Sequence, residues 1–585
     1  MERRVFIAII LSFLVLYAYQ ALFVRATPPA TAAKPATATT AQTPVPAPAE
    51  IAPAPSKDQV AATVPSATPE PQALVSEPSE REITVDTATV QAVLTNRGGR
   101  LVHWRLKEYR DLQGHPVDLI PSGLPPTEQL PFALRVDEEQ AGERLNQAIY
   151  RVSGDSGGHV DATRTPATVA FEYQEASGIH VHKEFRFDPS NYIVAFSASA
   201  TNGDRSMNPT VVFGPGLGDV AASKGGGGFF SGSSVLPPEA ILHRAGKVER
   251  VALAKISEQP VQEGQFRFAG VEDLYFMAAV VNPGQARVEY RPVVVAGPAN
   301  TQRQFISQAV RFPQPPMNAR FFVGPKQFDL LKSIDPELVR AVNFGMFGWL
   351  AVPLLGALKW IHGYVGNYGW SIILLTVLIN VLIFPLRHKS VVSMRRMQAL
   401  QPQLKAIQDR YANLKVTDPA RQKMNTEVMN LYREKGVNPA SGCIPILMTL
   451  PVLFAFYALL GQAIELRGAE FGWWVKDLSL PDPYYVIPIL VVVTMVWQQK
   501  LTPAAMDPTQ QKMMMFMPIM FGFIFLTTAA GTVLYWFVSN LWAIGQQYFT
   551  NWLIGPPVVP TVRPAAEKRL KNAGAGRTAG AEKHS

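Results

Sequence analysis

The pattern of apolar and polar positions divides the chain into three regimes. Near its start, an apolar run from Val5 to Phe23, 19 residues broken only by Ser12 and Gln20, follows two arginines. At 1.5 Å per residue such a run covers roughly the 30 Å hydrocarbon core of a bilayer. A cleaved secretory signal has a shorter apolar core and a small-residue cleavage site. Residues 1–25 therefore predict an uncleaved anchor with a cytoplasmic N-terminus. From Ile83 to Val323 short alternating runs are separated by turns, as in "ITVDTATVQAVLTNRGGRLVHWRL" and "IHVHKEFRFDPSNYIVAFSASATN". Many short strands at regular spacing predict an all-β sandwich over 82–325. The stretch between, 26–81, is rich in Pro, Ala and Thr and predicts a disordered, extended linker.

Beyond residue 335 long apolar segments return. "PELVRAVNFGMFGWLAVPLLGALKWIHGYVGN" is broken by Gly and Pro353, and it predicts an amphipathic helix over 336–365 lying at the outer membrane interface. Five candidate spans come after it within 366–554, at about 368–386, 444–463, 484–499, 513–528 and 532–554. Between the first two, Met394, Met397, Leu400, Leu404, Ile407 and Tyr411 recur at spacings of 3 and 4, one face of a helix. With "DPARQKMNTEVMNLYREKG" after a "KVTDP" turn, 387–435 reads as an antiparallel helical hairpin.

Charge orients these segments. The connection 387–435 holds 11 Lys/Arg against 4 Asp/Glu, the connection 465–483 holds 2 against 4, and the tail 555–585 holds 6 against 2. Lys/Arg excess marks the cytoplasmic side. The expected topology has six spans, both termini in the cytoplasm and the β-domain exported. A single cysteine, Cys443, excludes an intrachain disulfide, so the exported domain depends on an apolar core.

Candidate chemistry is sparse. His180, His182 and Glu184 share one strand face, which reads more simply as a solvated polar face than as a metal site. No Walker motif or catalytic constellation is present, so neither enzyme activity nor a cofactor is expected. The informative feature is "WSIILLTVLINVLIFPLRHKS" (370–390), where Thr376 and Asn380 lie four apart on one helix face. Polar side chains within a span face protein or a water-filled cavity more often than lipid. Thr449 lies at a matched depth on the next span. An ordinary interhelical hydrogen bond is the plainer reading of any one of them; the three together favour a polar groove. Met513, Met514, Met515, Met517 and Met520 suit an adaptable apolar wall. A transporter or flippase with a periplasmic carbohydrate-binding-like domain is the alternative. It calls for intramembrane charges or paired broken helices, whereas the five spans carry Asp, Glu, Lys and Arg only near their ends.

The motifs "GNYGWSIILLTVLINVLIFPL", "MQALQPQLKAIQ", "YREKGVNPASGCIPILMTLPVLFAFY", "DLSLPDPYYVIPIL", "DPTQQKMMMFMPIMF" and "GTVLYWFVSNLWAIGQQ" occur in order over 366–550. In this set the chain resembles the YidC/Oxa/Alb family of membrane-protein insertases. "TNRGG", "LYFMAAVV" and "FVGPK" resemble its long Gram-negative form. The resemblance implies an inner-membrane α-helical protein with five core helices around a hydrophilic groove, open to cytoplasm and lipid, and a periplasmic β-super-sandwich. It implies that nascent membrane proteins arrive from the ribosome, alone or beside the Sec translocon, and pass into membrane lipid, with a monomer sufficing. The groove would be lined by Thr376, Asn380, Thr449, Tyr535 and Trp536, with Met513, Met514, Met517 and Met520 as an apolar slide. Arg387, Lys389, Arg395, Arg396, Arg569 and Lys571 would form a rim touching client or ribosomal RNA. In most bacterial members the position of Asn380 is an arginine, thought to attract acidic residues of the client. Here the positive charge is expected from Arg387 and Lys389 at the rim instead.

Overall fold

The computed structural model describes residues 72–111, 113–217, 238–296, 302–315, 317–411, 420–437, 444–501 and 508–555. The expected N-terminal anchor, most of the expected linker, and the tail with Arg569 and Lys571 lie outside the described residues.

Period-two alternation builds the β-domain. In Ile179–Phe187 every second side chain is buried, and the residues between are half-buried or exposed. Such strands have one face for a core and one for water. One five-stranded sheet runs Pro116–Asp118, Arg100–Arg110, Val90–Thr95, Glu82–Thr87 and His159–Ala162. A fourteen-stranded sheet carries the rest. Its edge strand Ala73–Val75 sets Ala73 opposite Glu175, so the β-fold starts inside the stretch read as linker. The short apolar run "ALV" comes after the last of the dense prolines and is free to pair.

Trp104 of the smaller sheet stacks on Phe187 of the larger at 6.3 Å, and two polar ties also join the sheets, beside an aromatic cluster within the larger one. Phe132 touches Phe185, Phe196, Phe213 and Phe321 with ring centroids 4.8–5.2 Å apart. Trp104 Nε1 donates to the Val323 carbonyl at 2.8 Å, joining one sheet to the other. Fully buried Lys183 donates to the carbonyls of Gly98 (2.6 Å), Gly99 (3.3 Å) and Phe132 (2.7 Å). The "NRGG" turn presents the first two. Gly98 sits at φ +73°, and a Cβ there would lie 2.6 Å from the Asn146 carbonyl oxygen.

Eight helices position the site: α1 (Gly348–Val365), α2 (Tyr368–Ala399), α3 (Gln401–Arg410), α4 (Ala420–Glu434), α5 (Ile444–Gln462), α6 (Val486–Leu501), α7 (Pro508–Phe525) and α8 (Ala530–Ile554). Helix α1 buries Ala351, Leu354, Leu355, Leu358 and Ile361 and exposes Trp349, Trp360 and Tyr364. Its outer face is thus aromatic, the composition of a membrane interface. Among the described residues one stretch, Tyr368–Met397 in α2, is long and apolar enough to cross a membrane by length and composition. Helix α2 runs thirteen residues past the expected end of the span at 386, through Pro385 and the basic cluster, to Ala399. The break comes at Leu400, just before Pro402 in the first turn of α3. The hairpin α3/α4 is closed by Glu427, which accepts from Arg410 (3.0 Å) and from the Tyr411 hydroxyl (2.7 Å).

The β-domain docks on the helical region. Arg250 bridges Glu272 (2.6 Å) and donates to the Ala341 carbonyl (2.8 Å) just before α1, while Lys326 holds the other Glu272 oxygen at 3.0 Å. Arg467, in the connection between α5 and α6, lies over the rings of Phe276 (5.0 Å) and Tyr275 (5.6 Å). Ile464 from the same connection is buried within the β-domain's core.

Candidate functional site

Helix α2 supplies the polar stripe. Thr376 and Asn380 are both buried. The Thr376 hydroxyl donates to the Ile372 carbonyl at 2.6 Å, and the Asn380 amide donates to the Thr376 carbonyl at 2.8 Å. In an apolar medium an unpaired donor costs several kcal/mol, so short polar side chains turn back onto the preceding turn of their own helix. That leaves the Asn380 side-chain oxygen to accept from another group. It accepts from Arg387 Nη1 at 2.9 Å. Arg387 lies seven residues further along, about 10 Å of helix, so its side chain reaches back up the helix to do this. A guanidinium therefore stands at the side chain of residue 380 although the residue there is asparagine.

Helices α5 and α8 pack against α2. The Tyr535 ring stacks on Phe456 of α5, centroids 4.5 Å apart, within electrostatic reach of Arg387. Trp536, one residue on and about 100° round the helix, packs instead on Phe521 (5.9 Å) and Phe525 (5.3 Å) of α7. The two neighbours, which the family resemblance placed in one groove, thus pack on different helices. Thr449 lies on α5, but its side chain is outside the described residues, as are those of Met513 and Met514. Met515, Met517 and Met520 of α7 are exposed, beside exposed Phe516, Ile519 and Phe523.

The expected rim divides. Lys389 and Arg396 are exposed. Arg395 is half-buried and donates to Asn551 and to the Gly555 carbonyl, so it satisfies the C-terminal end of α8 rather than standing open to a partner. A cation at that end also meets the negative pole of the helix. At the other end of α2, Glu465 lies 3.6 Å from Lys359 of α1, and burial pushes its carboxyl above the usual range.

Sequence reasoning missed a second buried polar set, on α8. Asn540 approaches Thr494 of α6, with Nδ2 3.4 Å from Oγ1. Trp542, Gln546 and Thr550 recur at intervals of four, the spacing of one helix face. Their Nε1, Nε2 and Oγ1 atoms are buried with no partner among the described residues. That i, i+4, i+8 spacing was the available signal. Trp542 and Gln546 border a cleft of about 860 Å³ between α2, α6 and α8.

An aromatic-faced helix, a long apolar helix with a buried polar stripe, and a large docked β-domain are the features of a membrane protein that carries a β-domain. Comparison with known families agrees and is more specific. The model of the 60Kd inner membrane protein matches residues 360–554, and that of the YidC periplasmic domain matches 82–357. The chain is 36% identical to the membrane protein insertase YidC of Geobacter metallireducens over 94% of this chain and 98% of that protein. It is 33% identical to that of Syntrophus aciditrophicus over 94% and 99%. A solved structure described as an active YidC insertase with its first transmembrane domain resolved covers 82% of this chain and 95% of that one, at 20% identity and a TM-score of 0.34. The chain belongs to the YidC family of membrane protein insertases.

Proposed function

We propose that this protein receives nascent membrane proteins at the cytoplasmic face of the inner membrane and releases their transmembrane segments into lipid. It does so alone or beside the Sec translocon, without an enzymatic step, and it functions as a monomer with six spans and both termini in the cytoplasm. The observation that carries the mechanism is the hydrogen bond from Arg387 to Asn380. A client's exported end must bring polar groups past about 30 Å of hydrocarbon, and one charged side chain at mid-helix costs about 2.5–3.5 kcal/mol on insertion scales. A groove lined by Thr376, Asn380, Thr449 and Tyr535 shortens that path. Within it Arg387 attracts an acidic client end, in the place of an arginine at 380. The apolar part of the client then slides along the exposed face of α7, past Met517 and Met520, and gains free energy on entering lipid. Lys389, Arg396 and the tail cations Arg569 and Lys571 meet ribosomal RNA phosphates, so ribosome binding weakens with salt.

A chain with one native cysteine allows a clean test. In the Cys443→Ser protein, Asn380→Cys should form a disulfide with a cysteine placed in the leading span of a ribosome-stalled client. A single exposed cysteine on the β-domain should not. Equal yields at both positions would remove the groove from the pathway.

A further inference from the structure

Beside the start of α1 lies a cavity that the insertion pathway leaves unused, about 530 Å³ in volume and within the range of small-molecule sites. Three pieces of chain build it. The first is the two-residue turn Ala245 and Gly246, between strands Glu239–Arg244 and Lys247–Ala252. Both turn residues have positive φ, +49° and +74°, the conformation that closes a tight hairpin, so strand pairing resumes at Lys247. The second is the short helical turn Leu338–Ala341, and the third is 342–352, where the chain enters α1. Arg340 fastens the second to the first. Its Nη1 donates to the Gly246 carbonyl at 3.0 Å, and its Nε meets Glu337 at 2.9 Å. The guanidinium is held without being covered, since 53% of the side-chain surface stays accessible. Lys247 is exposed and has no ion pair among the described residues. Glu337 also lies 3.5 Å from His243 Nε2, and the neighbouring Arg244 and Glu249 cancel in their own pair at 2.8 Å. Lys247 and Arg340 against Glu337 therefore leave the rim positive when His243 is neutral.

The opposite wall is apolar, with Phe328, Val342, Phe344 and Val352. Just outside it stand Met346, 82% exposed, and Trp349, 71% exposed. A soluble anion would use the cations alone, whereas an amphiphile uses both walls. Tryptophan at the edge of a bilayer sits at the level of the headgroups. A bilayer lying against Trp349, Trp360 and Tyr364 of α1 thus brings its phosphates to the mouth of the cavity. We infer that the cavity seats the headgroup of an anionic phospholipid, with Lys247 and Arg340 at the phosphate and the glycerol region against Phe328 and Val352. Charge-assisted bonds from a guanidinium suit phosphate oxygens, and Arg340 Nη2 donates to nothing else among the described residues. A zwitterionic headgroup brings its own cation to a rim that is already positive. A headgroup whose phosphodiester is its sole charge does not. Such a lipid bridges a hairpin of the β-domain to the start of α1. The inference goes beyond client insertion and rests on α1 lying along a bilayer.

The test uses the full chain with Cys443→Ser and Met346→Cys, labelled at 346 with bimane, in phosphatidylcholine nanodiscs. A minor fraction of the lipid is brominated phosphatidylglycerol or brominated phosphatidylcholine, whose bromines quench a fluorophore in contact. Quenching should give an association constant about fivefold higher for phosphatidylglycerol, the factor carried by one Lys or Arg at an anionic surface. Lys247→Gln should make the two lipids equal, while quenching by phosphatidylcholine stays as it was and reports α1 in place. Arg205→Gln, an exposed cation that lines no part of the cavity, should leave the preference unchanged. Equal quenching by the two lipids in the labelled chain overturns the inference. So does a preference that survives Lys247→Gln, or one that Arg205→Gln removes as well. Glycerol phosphate that abolishes the preference, where sodium chloride of the same ionic strength does not, assigns the cavity to a soluble phosphate and overturns it too. No quenching by either lipid overturns it at its base, because α1 is then away from the bilayer. Client insertion is read separately by crosslinking at Asn380→Cys, so the insertase reading stands or falls on its own.

Discussion

Two buried cations show how position decides what a charged side chain does. Lys183 is enclosed by three carbonyls, and burial, with Arg100 nearby, holds its amine well below the usual lysine range. Between the lowered folded value and the unfolded one, the unfolded chain binds a proton that the folded chain has shed, and the neutral amine then donates to two of the three carbonyls. By linkage the folded state gains stability as pH rises toward the unfolded value of about 10.4. Lys183→Met should flatten that rise. It should also leave the carbonyls of Gly98, Gly99 and Phe132 unpaired, at roughly 2–3 kcal/mol of stability. Thermal unfolding of the full chain at pH 7 and pH 9 reads both effects, and an unchanged midpoint with an unchanged pH slope would show that the amine is not a tie. Arg387 is the contrasting case. Among the described residues its side chain bonds Asn380 of its own helix, and on the proposal above its remaining donors serve the client.

At the scale of the element, α2 is where the sequence was most and least legible. Its apolar length, and the stripe at 376 and 380, come from spacing alone. Its continuation through Pro385 does not, because a proline costs one backbone hydrogen bond and neighbouring helices in a membrane protein make that tolerable. The back-bonding of Arg387 was equally hidden. A basic residue at a span's end reads as an edge marker, and only the rotamer shows that it reaches inward. The role of Arg395 depends on where the distant end of α8 falls, which no local pattern encodes. By contrast, the strands obey their periodicity closely, whereas the expected helical face Met394–Tyr411 is split at Leu400 between α2 and α3, so the hairpin starts at 401 and not at 387. Packing at the start of α2 makes a sharp prediction. A Cβ on Gly369 would overlap the Phe471 ring. Gly369→Ala should push that ring off the helix and cost about 1–3 kcal/mol, as overpacking does. A melting temperature equal to that of the unaltered protein would mean that Phe471 moves freely.

The whole molecule is a β-domain seated on a helical insertase region, with Arg250, Ile464 and Arg467 at the seat. That seat lies near the start of α2, far along the helix from Arg387. On the proposal above, the β-domain holds the connections beside it and client capture falls to the part of α2 around Arg387. In this chain a guanidinium reaches the stripe from residue 387, where residue 380 is an asparagine. The measurement that tests this most directly is protease protection of two short clients, one with an acidic exported end and one with a neutral end, in cells depleted of the native insertase. With Arg387→Gln, insertion of the acidic client should fall about tenfold, the factor carried by ~1.4 kcal/mol of attraction. The neutral client should insert nearly as before. Adding Asn380→Arg to Arg387→Gln should restore the acidic client, because the charge returns to the same place from a different residue. If Arg387→Gln inserts both clients as well as the unaltered protein at equal expression, the guanidinium beside Asn380 has no part in insertion.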